Sequence, residues 1–119
     1  MKTKIVETIM QWVPASKVWT EFAETNDDSL TQYLLLKRTA HFCVEKMNAS
    51  EVTEVETARE VLKVINMLYE SGNHYTRNAI ENEFFAELIA QENPASLKKH
   101  LDFLSKNSRE GYLRTILEN

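Results

Sequence analysis

Two pairs of glutamates and one histidine–glutamate pair are the side chains whose type and spacing invite a chemical reading. Glu83 and Glu87 lie four positions apart, as do Glu56 and Glu60. On a helix that spacing puts each pair on one face, where like charges destabilise an isolated helix slightly. Paired carboxylates can exchange protons with a substrate, but only inside a cleft that moves their proton affinities apart. On an open face they attract cations instead, and the four then read as a docking surface. His41 and Glu45 are also one turn apart, the spacing of a base with its orienting group or of two metal ligands. A metal needs three or four ligands, and nothing near this pair in sequence completes the set. Neither His-Glu-x-x-His nor Glu-x-x-His occurs, which removes the zinc-protease and di-iron bundle signatures.

The remaining candidates are weaker. Cys43, the single cysteine, is flanked by Phe42 and Val44. A nucleophilic thiolate needs an electropositive, accessible setting, so Cys43 reads as a small core residue. His74 falls in a helix–helix turn beside Gly72, Tyr75 and Arg77, but no serine, cysteine or carboxylate partner is identifiable. Gly72 and Gly111 are the only glycines and cannot form a phosphate-binding loop. Lys98, Lys99, His100, Lys106, Arg109 and Arg114 make the one basic cluster, with Asp102 and Glu110 inside it. A helix-turn-helix with Ser108 to Thr115 as recognition helix would use such a cluster, yet no helix there has a convincingly basic face. These observations assign no catalytic, cofactor-binding or metal residue, and the chain reads as a non-enzyme.

Charge sharpens that reading. The net charge is −4, but residues 51–93 hold nine acidic side chains against three basic ones, whereas residues 94–119 hold five basic against three acidic. An acidic middle disfavours nonspecific attachment to nucleic acid or membrane and suits a basic protein partner. With one cysteine no intramolecular disulfide forms, which favours a reducing compartment. Glu7 and Thr8 interrupt the apolar opening before it resembles a signal peptide. No apolar run approaches a membrane span. A soluble, cytoplasmic protein is expected.

The elements that must position these residues are helices. Two glycines and two prolines in 119 residues suit long helices with short loops. Ile5, Val6, Ile9, Trp12 and Val13 recur at helical spacing until Pro14. Val18, Trp19 and Phe22 follow, then the capping run Asn26-Asp27-Asp28-Ser29, in which Ser29 and Gln32 also fit a capping box. The next helix carries Tyr33, Leu36, Ala40, Val44 and Met47 on one face, with Leu30, Leu34, Leu35 and Phe42 widening it. Such breadth marks the central helix. Thr53 with Glu56 matches a capping box. Val55, Ala58, Leu62, Ile65 and Tyr69 form the following seam, which Gly72 is expected to close in a left-handed conformation. Asn73 caps a helix with Ala79, Ile80, Phe84, Phe85, Leu88 and Ile89 inward. Asn93-Pro94 opens the next segment, with Leu97, Leu101 and Leu104, and Ser108 starts a last helix with Tyr112, Leu113, Ile116 and Leu117. The expected fold is a single all-α domain over residues 1–119, a compact antiparallel bundle of six or seven helices.

Gly72, Asn78, Ile80, Phe84, Glu87 and Leu88 give the stretch at residues 55–90 a resemblance to uncharacterised helical domains of small bacterial proteins, many of them similar to immunity proteins of contact-dependent toxin systems. Asn73 stands where that family commonly has an acidic residue, and Phe85 where it has an aliphatic one. The resemblance implies an all-helical bacterial protein with a partner-binding role, and no active site. Together with the charge pattern it points to an immunity-type module that docks a basic protein through Glu56, Glu60, Glu83 and Glu87, with self-association open. The alternatives are a small enzyme with a carboxylate–histidine site around His41, Glu45 or His74, and a weak nucleic-acid binder using the C-terminal basic cluster.

Overall fold

Helices form where apolar residues return every three or four positions. A computed structural model describes residues 3–16, 19, 28–91 and 96–118, without the side chains of 28–30. Six rods appear among the described residues: α1 (Lys4–Trp12), α2 (Asp28–Met47), α3 (Val52–Ser71), a composite rod, α6 (Leu97–Phe103) and α7 (Lys106–Glu118). The composite rod joins α4 (His74–Ala79), a π-helical stretch (Ile80–Phe85) and α5 (Ala86–Ala90). There is no strand among the described residues, and the protein is an all-α bundle. Its central member is α2, which packs against α1, α3, the π-helical stretch and α5. Val18, Phe22, Asn26, Asp27, Asn93 and Pro94 lie outside the described residues, as do the side chains of Asp28, Ser29 and Leu30.

Burial decides the helices more than propensity does. Val61 and Ile65 of α3 are poorer helix formers than alanine by up to about 0.7 kcal/mol each. Both are buried, and covering an aliphatic side chain contributes about 1.5–3 kcal/mol. The seam expected on α3 is therefore inside, as are Ile80, Phe84, Phe85 and Leu88 of the composite rod. Cys43 is fully buried in the same core, and burial pushes its thiol well above the usual range. No helix among the described residues is long and apolar enough to cross a membrane.

Several ends differ from the sequence expectation. Gly72 has φ −81° and is not left-handed. The last carbonyls of α3 are instead satisfied by Arg77, whose Nε donates to the Tyr69 carbonyl at 2.9 Å and whose Nη2 donates to that of Glu70 at 3.2 Å. Gly72 is required for space, because a Cβ there would meet the Leu68 carbonyl oxygen at 2.6 Å and Thr76 Cγ2 at 2.7 Å. Asn73 caps α4 as expected, accepting from the Thr76 amide at 3.0 Å. Thr53 does not cap α3. The helix begins two residues earlier, at Val52 with Glu51 in the cap position, and the Thr53 carbonyl accepts from the Thr57 hydroxyl.

At the other end of the chain, α7 begins at Lys106 rather than Ser108. Glu70, at the end of α3, reaches across to cap it. Its carboxylate accepts from Ser105 Oγ at 2.6 Å, the Asn107 amide at 3.1 Å and Asn107 Nδ2 at 2.6 Å. An acidic group at a helix N-terminus meets unsatisfied amides and the positive end of the dipole. Its inward face also differs from expectation: Ser108, Gly111, Tyr112 and Thr115 face inward, and Leu113 and Leu117 face solvent. Small residues on that face let α7 approach α3 and the π-helical stretch closely. Tyr33 likewise departs from expectation and is exposed on α2, because the buried stripe there runs through Leu36, Ala40, Cys43 and Met47.

Gly111→Ala should lower stability by about 1–3 kcal/mol in denaturant unfolding, because its Cβ would collide with the Tyr69 hydroxyl and ring. The sign is diagnostic, since the same change at an open helical site stabilises by about 0.5–1 kcal/mol. Glu70→Ala should cost about 0.5–2 kcal/mol near neutral pH, the usual worth of a helix cap. The Glu70 carboxyl is held below its ordinary 4.5, chiefly by the Ser105 hydroxyl and then by Asn107. Its contribution is thus complete above about pH 4.5 and fades as pH falls through the lowered value. Wild-type and variant stabilities should converge in acid.

Candidate functional site

The composite rod divides its acidic side chains between two neighbours. Along Ile80–Phe85 the bonding is wider than in an α-helix, as shown by the Ala86 amide reaching the Glu81 carbonyl. Such i→i+5 turns are rare and are frequent at functional sites. Within this wider stretch the adjacent Phe84 and Phe85 both point inward. Glu81 then faces α3 and α7, while Glu83 and Glu87 face α2.

On the first side Glu81 closes a clasp. Its Oε2 accepts from the Tyr69 hydroxyl at 2.5 Å and from Arg114 Nη2 at 3.1 Å, and Arg114 Nη2 also reaches the Tyr69 oxygen at 3.3 Å. Burial, followed by the hydrogen bond to Glu81, pushes the Tyr69 phenol up to about 12. Phe85 and Tyr112 pack beside it, with their rings edge to face at 5.6 Å. His100, expected in a basic surface cluster, is buried with Nδ1 3.3 Å from the Tyr112 hydroxyl. A phenol that keeps its proton at neutral pH cannot act as a base there. The clasp holds three helices together.

On the second side α2 meets the rod along a polar seam. His41 Nε2 lies 2.6 Å from Glu87 Oε1, and Lys37 Nζ is 3.7 Å from Glu87 Oε2. His41 therefore pairs across to Glu87 rather than along its helix to Glu45. Above that pair opens a cleft of about 230 Å³, lined by Gln32, Tyr33, Tyr75, Asn78, Ala79, Asn82 and Glu83. Tyr33 and Tyr75 stand at its rim, 41% and 61% exposed. Lys37 Nζ sits 4.9 Å from the centre of the Tyr33 ring, and its ammonium pKa is raised, first by that tyrosine's hydroxyl. Burial pushes the Glu83 carboxyl above its ordinary value, against the pull of Lys37. Asn78 and Asn82 line the cleft and make no hydrogen bond to a neighbouring helix among the described residues.

The four glutamates expected to dock a partner are not one face. Glu56 and Glu60 are exposed on α3 and pair within that helix, with Arg59 at 3.3 Å and Lys63 at 3.0 Å. Arg59 in turn lies over the Phe103 ring of α6. Glu87 is held by Lys37 and His41. Glu83 alone of the four has no ion-pair partner among the described residues, and it lines the cleft. Sequence spacing placed Glu83 and Glu87 on one face but gave no sign of Gln32 or the two tyrosines, which come from another helix and another turn.

Among the described residues no group of three His, Cys, Asp or Glu side chains converges to hold a metal. His74 is an exposed first residue of α4, and thirteen positions of rod separate it from the Glu87 that binds His41, about 20 Å. His41 and Glu45 share with Arg38 a shallow depression of about 130 Å³ beside Trp19 and Phe42. In the basic cluster Arg109 Nε donates to the Leu101 carbonyl at 2.8 Å and Arg114 belongs to the clasp. Lys98, Lys99 and Lys106 remain exposed.

Fold and surface together define an all-helical module that presents an acidic, aromatic-rimmed cleft. The chain belongs to the family called domain of unknown function DUF7674, whose model matches residues 6–118. No curated protein and no solved structure matches the chain.

Tyr69→Phe should remove one late step, at about pH 12, from an absorbance titration of the folded protein's phenols. Because the folded value lies above the ordinary 10, the Tyr69 hydroxyl contributes fully below pH 10. That contribution is lost as pH rises toward 12, so wild type should approach the variant's stability in alkali.

Proposed function

We propose that this protein is a cytoplasmic binding module of the immunity type, which docks a basic protein partner on the side where α2 meets the composite rod. The observation that carries the reading is Glu83: a half-buried carboxylate lining a cleft, with Lys37 near but no ion-pair partner among the described residues. A carboxylate partly shielded from water attracts an incoming cation more strongly than a fully solvated one. The exposed rings of Tyr33 and Tyr75 supply the contact area typical of interface anchors. The resemblance of residues 55–90 to immunity-like domains and the acidic balance of residues 51–93 agree with it.

Glu56 and Glu60 extend the acidic field but are already neutralised by Arg59 and Lys63, so their part is to speed encounter rather than to hold the partner. Glu87 keeps α2 against α5, and reversing its charge would disturb the fold along with the surface.

If the open reading frame beside the gene encodes a growth-arresting protein, co-expression of this chain should restore growth. Its association with that protein should weaken as salt rises. Glu83→Lys should weaken binding at least about tenfold, as expected for losing one charged contact. Glu56→Lys with Glu60→Lys should slow association with little change in dissociation. Equal binding by all these variants would remove the acidic-side reading.

A further inference from the structure

One residue of the cleft lining, Gln32, carries a buried acceptor: it is only 6% exposed, and its Oε1 has no hydrogen-bond partner among the described residues. Buried polar atoms are paired in nearly every folded protein, and an exception asks for a reason. Gln32 shares the cleft with the Glu83 carboxylate and the carboxamides of Asn78 and Asn82, between the rings of Tyr33 and Tyr75. The lining thus combines a negative charge, several neutral acceptors and two aromatic edges, with no cationic side chain among the described residues. Lys37 lies just outside, occupied by Glu87 and the Tyr33 ring.

We propose that this cleft is a receptor for one arginine side chain of the partner, its guanidinium paired with the Glu83 carboxylate while the Gln32 carboxamide turns its buried Oε1 outward to accept from it. The proposal rests on the docking role argued above and specifies what enters. A guanidinium is planar, carries five donors in a fixed fork and stacks on aromatic rings. It can serve the carboxylate and the carboxamide oxygens at once, with its plane against a tyrosine. A lysine ammonium is a compact, strongly hydrated charge that satisfies the carboxylate but has no planar fork to spread over the rest. Size agrees, since about 230 Å³ is below the 300–1,000 Å³ usual for cofactor and drug-sized ligands and suits a single side chain. The cation already resting against the outer part of the Tyr33 ring shows that this tyrosine tolerates such a neighbour.

The test uses three short capped glycine–serine peptides, identical except for one central arginine, lysine or citrulline. Each is titrated into the full-length protein while backbone and side-chain amide signals are followed by NMR. The arginine peptide should give saturable shifts at Gln32, Tyr33, Asn78, Asn82 and Glu83, including the Gln32 carboxamide. The lysine peptide should bind about tenfold more weakly and citrulline not measurably. Glu83→Gln should weaken the arginine peptide about tenfold or more, whereas Glu56→Gln with Glu60→Gln should leave it unchanged. Gln32→Leu, which removes the orphaned oxygen and keeps the bulk, should reduce the preference for arginine over lysine while the protein stays folded.

Equal affinity of the arginine and lysine peptides at Glu83 would overturn the arginine receptor and leave acidic-side docking standing. Shifts centred on Glu56 and Glu60 would overturn the cleft as the site. Absence of any saturable response to either cationic peptide would overturn both this proposal and the role it rests on.

Discussion

Phe84 and Phe85 are neighbours in sequence, and both are fully buried. Adjacent residues are also buried together in regular α-helix here, as at Leu68 and Tyr69, but the two phenylalanine rings fall where the rod is π-helical and wider. Phe85 then meets Tyr69 and Tyr112, and Phe84 packs edge-on against Phe85. The remaining polar arrangement is built around this packing.

Its first consequence is mechanical. With the rod widened, Glu81 reaches the Tyr69 hydroxyl and Arg114, and α7 can lie close only because Gly111 leaves room for that hydroxyl. Glu70 adds a second link from α3 to the start of α7, and Asn66 donates to the Phe103 carbonyl to hold α6. The C-terminal helices are thus oriented by polar contacts from α3 and the composite rod, while Phe103, Leu104 and Tyr112 join the core.

The second consequence is chemical. Glu83 is carried to the opposite side of the rod, where α2 supplies Lys37 and His41 to Glu87 but leaves Glu83 unmatched. One acidic partner of the pair became a fixture of the fold and the other became the charge of a cleft. The difference does not lie in the two side chains. It arises from where α2 places its cations, one turn below the cleft rather than in it.

Sequence alone determined the all-α class, the inward faces of α3 and the composite rod, the burial of Cys43 and the Asn73 cap. Each of these depends on side chains a few positions apart, and helical periodicity makes such neighbours predictable. Tertiary structure decided the partner of His41, the separation of Glu56 and Glu60 from Glu83, the capping of α7 by Glu70 and the place of Gln32 in the cleft lining. Those features join residues far apart in sequence, 37 positions between Glu70 and Asn107 and more between His41 and Glu87, through the angles at which helices pack. The widened turn belongs with them. Its residues read as an ordinary amphipathic helix, and the departure from α geometry shows only where Phe84, Phe85, Tyr69 and Tyr112 come together in one interior.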